Sequence, residues 1–355
     1  MSVIVLHFLS QSTANFLVAG VPAAARAAHQ VARANASNPQ PAQCLIAVQG
    51  GWTPGDWCRA ELSRLAPGLN IGFVDLEEIE TTPETTILRG ESLTGAEDIQ
   101  TIPTSRTSRE MTEEQALAEL GKAGEAILLA TAKPGDGIVS RYINRPISRS
   151  LSRLLLRLPG VVPFHATVVA AVLGIAMAVC LFAGGPSGLV AGAVLFQAAS
   201  IIDGVDGEIA RATYRSSPKG AMLDSLTDAA TNLAFIAGLT FNLWQQGHDH
   251  PAAAGIAGLA MLAIGMFLIG LRARSNGGPF TFDGVKHHFR ARPSRLMQWL
   301  TWIAMRDFYA AASAVLIVIG FAPQTLVVFS AATSIWFVIT LRVLFTTRPR
   351  ASAPA

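Results

Sequence analysis

Six long apolar stretches fill the second part of the chain, at 162–183, 188–212, 220–246, 251–272, 303–321 and 324–345. At about 1.5 Å per helical residue, most are long enough for a hydrocarbon core about 30 Å thick. Glycines and prolines separate them at Gly184-Gly185-Pro186, between Gly247 and Pro251, and at Pro323. The first part of the chain has another pattern. Ser2–His7, Cys44–Val48 and Ile71–Val74 are short apolar runs suited to buried strands, and Val21–Ala34 is an Ala-rich helical stretch. Residues 81–115 are rich in Thr, Ser and Glu and predict loop plus exposed helix. The expected architecture is an α/β domain over 1–125, a linker with an interfacial helix over 126–160, an all-α domain of six transmembrane helices over 161–346, and a basic tail over 347–355.

The linker has its own signature. Arg141, Arg145, Arg149, Arg153 and Arg157 recur every four residues, with Ile147, Leu151, Leu154 and Leu155 between them. That pattern predicts an amphipathic basic helix lying on a membrane surface.

Charge sharpens this division. Residues 1–132 carry 8 Lys and Arg against 15 Asp and Glu, and the remainder carries 19 against 9. An acidic part followed by a basic, apolar part reads as a soluble domain joined to a membrane domain. The basic residues flank apolar spans, which favours a membrane surface and anionic substrates and argues against nucleic acid as a partner. Lys and Arg fall in alternate loops, so both termini and the 203–228 region are expected on the cytoplasmic side of the inner membrane. Met1 to His7 lacks the basic opening of a secretory signal, so the first domain is expected in the cytoplasm. Cys44, Cys58 and Cys180 have the spacing of neither a disulfide framework nor a zinc site, and are expected as buried thiols.

The candidate chemistry lies between the second and third spans. Asp203 and Asp206 are three apart on one helix, and Asp224 and Asp228 are four apart on the next. Each pair shares a helix face. The short turn around Ser216-Ser217-Pro218 makes the helices antiparallel neighbours, so the four carboxylates can converge. A carboxylate at the centre of a membrane helix costs at least about 2.5 kcal/mol, and four together repel. Divalent cations resolve both costs, and hard oxygen ligands suit Mg²⁺ or Mn²⁺, which also hold phosphate oxygens. Gly207, Ala210 and Gly220 leave room for a nucleotide at the backbone, and Arg211 offers a guanidinium fork to phosphate or carboxylate.

The run from Asp203 to Asp228 resembles the signature of the CDP-alcohol phosphatidyltransferase family: Asp, two residues, Asp-Gly, two, Ala-Arg, eight, Gly, three, Asp, three, Asp. Every fixed position is matched. The resemblance covers roughly 133–345, including the six-helix pattern. It implies two divalent ions held by Asp203, Asp206 and Asp224, with Asp228 as general base and further metal contact. It implies a CDP site lined by Gly207, Ala210, Arg211 and Gly220, and a homodimer. The reaction would move a phosphoalcohol, of phosphatidyl or phosphoinositol type, from a CDP-alcohol donor to an acceptor alcohol, with release of CMP, in phospholipid or polar-lipid synthesis. Pro163 and Thr167 resemble the opening of the family's first span, where Thr167 would contact the nucleotide. Arg306, Arg342 and Lys219 are candidates for a phosphate on the acceptor or the donor. His287 and His288 read as part of a solvated basic loop. Two rival readings are a divalent-cation transporter built on the same carboxylates and a catalytically inactive membrane scaffold.

Val3 to Ala34 resembles the opening of a nucleotidyltransferase of the inositol-phosphate cytidylyltransferase kind. Lys133 to Arg149 resembles the linker of fused inositol-phosphate cytidylyltransferase and di-inositol-phosphate-phosphate synthase proteins. Such enzymes need a Gly-rich, basic loop after the first strand to cradle a triphosphate. Here that place reads Phe8-Leu9-Ser10-Gln11-Ser12-Thr13-Ala14, with neither glycine nor base. The domain is therefore expected to be degenerate and inactive.

Overall fold

The structure, a computed structural model, describes residues 3–36, 43–79, 85–99, 111–133, 135–275 and 305–346. They fall into two compact units, Met1–Thr131 with Ser152–Val161, and Ala132–Leu151 with Val162–Ala355.

The first unit is built on a four-stranded parallel sheet of β1 (Val3–Phe8), β4 (Gln43–Val48), β5 (Asn70–Asp75) and β6 (Thr85–Arg89), in the order β5-β4-β1-β6. Val3 pairs with Gln43 and Phe8 with Val48, so successive side chains alternate between the two faces. Ile4, Leu6, Phe8, Ile46 and Val48 share one face and form the core with α2 (Ala23–Ala34) and α3 (Asp56–Leu65). Alanines let α2 come close: Ala23, Ala24, Ala25 and Ala28 are fully buried. A short hairpin, β2 (Leu17–Val18) with β3 (Val21–Pro22), leads into α2, so the predicted helix begins two residues later than its apolar pattern. Burial pushes the Cys44 and Cys58 thiols up to about 12, which leaves them inert.

One element departs from expectation. Residues 85–89 were expected as loop, yet they form β6 and close the sheet beside β1. The run Thr-Thr-Ile-Leu-Arg is too short to show alternation, and it becomes a strand because the edge of β1 supplies its partner. After it come the short α4 (Ala96–Ile99) and then α5 (Glu113–Ala130), which opens with a Thr112–Gln115 capping box.

The second unit contains six long helices among the described residues: α7 (Pro163–Ala183), α8 (Gly185–Ala212), α9 (Pro218–Gln245), α10 (Asp249–Ser275), α11 (Arg306–Val318) and α12 (Ala322–Thr346). Four of them, α7, α8, α10 and α12, are long and apolar enough to cross a membrane. The other two predicted spans do not meet that measure of length and composition. Pro218–Gln245 carries Asp224, Asp228, Asn232 and Asn242, and Arg306–Val318 is 13 residues long. Residues 276–304 and 347–355, with His287, His288 and the basic tail, lie outside the described residues.

Small residues let these helices touch. A Cβ added at Gly258 of α10 would stand 2.7 Å from Ser330 Oγ and 3.0 Å from Ser330 Cα of α12. Gly255 meets Thr240 of α9 in the same manner. In the interior, Phe196 of α8 stacks on Phe235 of α9 with ring centroids 4.0 Å apart.

A helix forms within the predicted linker, with its faces set differently from the simple reading. A π-helical turn, Ser140–Asn144, leads into α6 (Arg145–Leu155). Tyr142, Ile143, Ile147 and Leu154 are exposed, whereas Ser140, Asn144, Arg145 and Ser148 are buried. The five arginines therefore do not form one basic stripe, because Arg145 turns inward to the buried Glu208 and to Asp136.

Candidate active site

The connection between α8 and α9 is set locally. Tyr214 adopts a left-handed backbone (φ +56°), and Arg215 N–H donates to Ala210 O at 2.8 Å, which closes the end of α8. Ser217 then caps α9 by accepting from Gly220 N–H at 3.1 Å, with Pro218 at the first helical position. This five-residue turn holds the two acidic faces together.

Carboxylate oxygens of Asp203, Asp224 and Asp228 lie within 4.8 Å of one another. Asp206 is more deeply buried and accepts from Thr167 Oγ1 of α7 at 2.8 Å. Thr167 thus meets the acid beside the expected nucleotide cradle. Asp224 Oδ1 is buried with no hydrogen-bond donor among the described residues.

Arg306 enters this cluster from the first turn of α11. Its guanidinium pairs with Asp203 at 3.3 Å and with Asp228, and it sits 5.8 Å above the Phe196 ring. Three carboxylates thus face one arginine, with Asp206 as a fourth nearby. That surplus of negative charge, together with the undonated Asp224 oxygen, is a donor set that fits a hard divalent cation.

Gly207 and Arg211 occupy one turn of α8, and a Cβ at Gly207 would stand 2.9 Å from Arg211 Nη1. The missing side chain is what lets the guanidinium fold over the helix there. Ala210 and Gly220 lie on the same two helix ends. Lys219 and Arg342 are exposed, and neither forms an ion pair with another described residue.

Sequence reading gave no role to a second polar layer behind the acids. Glu208 is fully buried and accepts from Arg145 Nη1 at 2.9 Å and Ser148 Oγ at 2.7 Å. Arg145 also donates to Asp136, from Nε at 2.9 Å and from Nη2 at 3.3 Å. Asn144 and Ser200 both donate to Asp307, at 3.2 Å and 3.0 Å. The one available signal was Glu208 itself, an acid inside an apolar helix at an unconstrained position of the motif.

The first unit presents a contrasting site. In an open parallel sheet, ligands bind beyond the carboxyl ends of the strands, where the strand order reverses. In this sheet the place lies beyond β1 and β6. Leu9 N–H there donates to Glu91 Oε1 at 2.7 Å, and Thr13 Oγ1 donates to the same oxygen at 3.0 Å. Glu91 is buried, and Arg89 lies 3.6 Å from its other oxygen.

Comparison with known proteins places the membrane unit. Residues 160–336 match the family model for CDP-alcohol phosphatidyltransferase. The chain is 33% identical over 167 residues to the "Bifunctional IPC transferase and DIPP synthase" of Thermococcus kodakarensis, covering 46% of this chain and 36% of that protein. It is 41% identical over 142 residues to the protein of the same name from Rubrobacter xylanophilus, covering 40% and 31%. It is also 31% identical over 146 residues to a "Phosphatidylinositol phosphate synthase" of Corynebacterium glutamicum, covering 41% and 64%. The chain thus spans about a third of the length of the bifunctional relatives it matches. The Asp203–Asp228 signature, the convergence of its carboxylates and the match over 160–336 agree: the chain belongs to the CDP-alcohol phosphatidyltransferase family.

Proposed function

We propose that the membrane unit transfers a phosphoalcohol from a CDP-alcohol to an acceptor alcohol and releases CMP, in polar-lipid synthesis. The observation that carries this reading is the convergence of Asp203, Asp224 and Asp228 beside Arg306. Asp203, Asp206, Asp224 and Asp228 would hold two divalent ions, Mg²⁺ or Mn²⁺, which supply charge neutralisation at the donor's diphosphate. Thr167 orients Asp206 through its hydroxyl. Gly207, Ala210, Arg211 and Gly220 form the nucleotide cradle, where absent or small side chains admit the donor and Arg211 meets phosphate. Asp228 takes the proton of the acceptor hydroxyl, whose oxygen attacks the phosphorus distal to cytidine as the bond to CMP breaks. Arg306 and Arg342 are cations on the fifth and sixth helices for a phosphate on the acceptor or the donor's alcohol, with Lys219 a third at the start of α9.

The names of the relatives and the linker resemblance both favour an inositol-phosphate type of substrate. Residues 1–125 are a degenerate nucleotidyltransferase-like domain. Its loop after β1 has given its amide to Glu91, where an active enzyme would use such amides for a triphosphate. The site faces the cytoplasm, the protein lies in the inner membrane, and it acts as a homodimer.

The test is CMP release by purified full-length protein with Mn²⁺ or Mg²⁺, screened over CDP-diacylglycerol and CDP-inositol against several acceptors. Absence of CMP with every pair, together with an Asp228→Asn variant that behaves as wild type in cells, overturns the reading.

A further inference from the structure

Three consecutive observations concern the segment that precedes the bundle. Arg145 and Ser148 of α6 converge on the single oxygen Glu208 Oε1. Arg145 simultaneously grips Asp136 with two of its nitrogens, so one planar guanidinium joins a turn, an interfacial helix and α8. The helices are also in close approach at this point: a Cβ added at Gly204 would stand 3.3 Å from Ser148 and 3.7 Å from Arg145 Nη1.

A buried ion pair is a poor device for stability alone, since apolar residues of similar volume serve at least as well. What it does supply is a fixed register and a fixed charge. Glu208 sits three residues before Arg211 and one after Gly207, on the turn of α8 that folds the Arg211 guanidinium over the helix. Residues three apart on a helix are neighbours on its surface, so holding Glu208 fixes the surroundings of Arg211.

The geometry points to Arg145 and Glu208 as a positioning pair: the Asp136–Arg145–Glu208 clasp holds Arg211 in the orientation that receives the phosphates of a cytidine nucleotide. Neither residue touches the reacting atoms. The inference rests on the proposed nucleotide cradle and deepens it.

The test titrates the purified full-length protein with CDP in the presence of Mn²⁺, and separately with Mn²⁺ alone, by calorimetry. Glu208→Gln keeps the shape of the side chain and removes its charge. It is expected to weaken CDP binding about tenfold while leaving Mn²⁺ affinity unchanged, because Asp203, Asp224 and Asp228 are untouched. Arg145→Lys keeps the charge and loses the two-sided fork, and is expected to weaken CDP about threefold with the same selectivity. CDP affinity equal to wild type in both variants overturns the positioning role. A parallel fall of CDP and Mn²⁺ affinity also overturns it, since that is the mark of a general structural effect. A wild-type protein that binds Mn²⁺ but no CDP removes the cradle itself, and with it the proposed function.

Discussion

The two units treat a buried carboxylate in opposite ways. In the membrane unit, Asp203 and Asp228 share the guanidinium of Arg306, Asp224 lies with them, and an oxygen of Asp224 has no donor among the described residues. In the first unit, Glu91 is a single acid: a backbone N–H and a hydroxyl reach one oxygen, and Arg89 lies 3.6 Å from the other, which accepts no hydrogen bond among the described residues. The first arrangement has charge left over for something else to satisfy. The second sets one carboxylate against one guanidinium. Burial of acid and an oxygen without a donor are common to both, so the balance of charge, and not burial, distinguishes the two sites.

Four substitutions probe this contrast. Asp228→Asn removes the proposed base and should lower CMP release by about 10²–10⁴-fold, measured with the substrate pair the screen identifies. Loss of less than tenfold would move the base elsewhere. Asp224→Asn should weaken Mn²⁺ binding by about a hundredfold, read by calorimetry on the full chain, since it takes a ligand from the surplus side of the comparison. Glu91→Ala strands Leu9 N–H, and should cost the first unit about 1–3 kcal/mol in hydrogen-exchange stability. CMP release should stay as in wild type, and CTP should remain unbound. CTP binding by this variant would mean that Glu91 merely guards a working nucleotide site. Thr167→Val removes one hydrogen bond to Asp206 and should cost about 1 kcal/mol, or roughly fivefold in CMP release.

The acidic site was legible because its geometry is local. Spacings of three and four put two carboxylates on each helix face, and a five-residue turn with Ser217 and Pro218 forces the helices to be neighbours. The parallel strands at 3–8, 43–48 and 70–75 were legible as apolar runs. The strand at 85–89 was not, because its identity depends on β1, some eighty residues earlier. Arg145 was misread for the same reason. Its four-residue repeat with the other arginines suggested a surface stripe, while its partner Glu208 lies 63 residues away. Arg306 was a candidate for phosphate, but nothing local announced that it would reach Asp203 and Asp228 across the bundle.

The glycine contacts along α10 have a practical consequence for handling the protein. Lipid tails are as apolar as leucine, so helices in a bilayer gain little by hiding leucine from their surroundings. Where Gly258 lies against the backbone of Ser330, cohesion comes from close atomic contact instead. Such a seam is indifferent to the chain length of the surrounding amphiphile. The α10–α12 pair should therefore survive extraction into detergents of quite different tail length, whereas a bulky side chain at position 258 would pry it open in any of them.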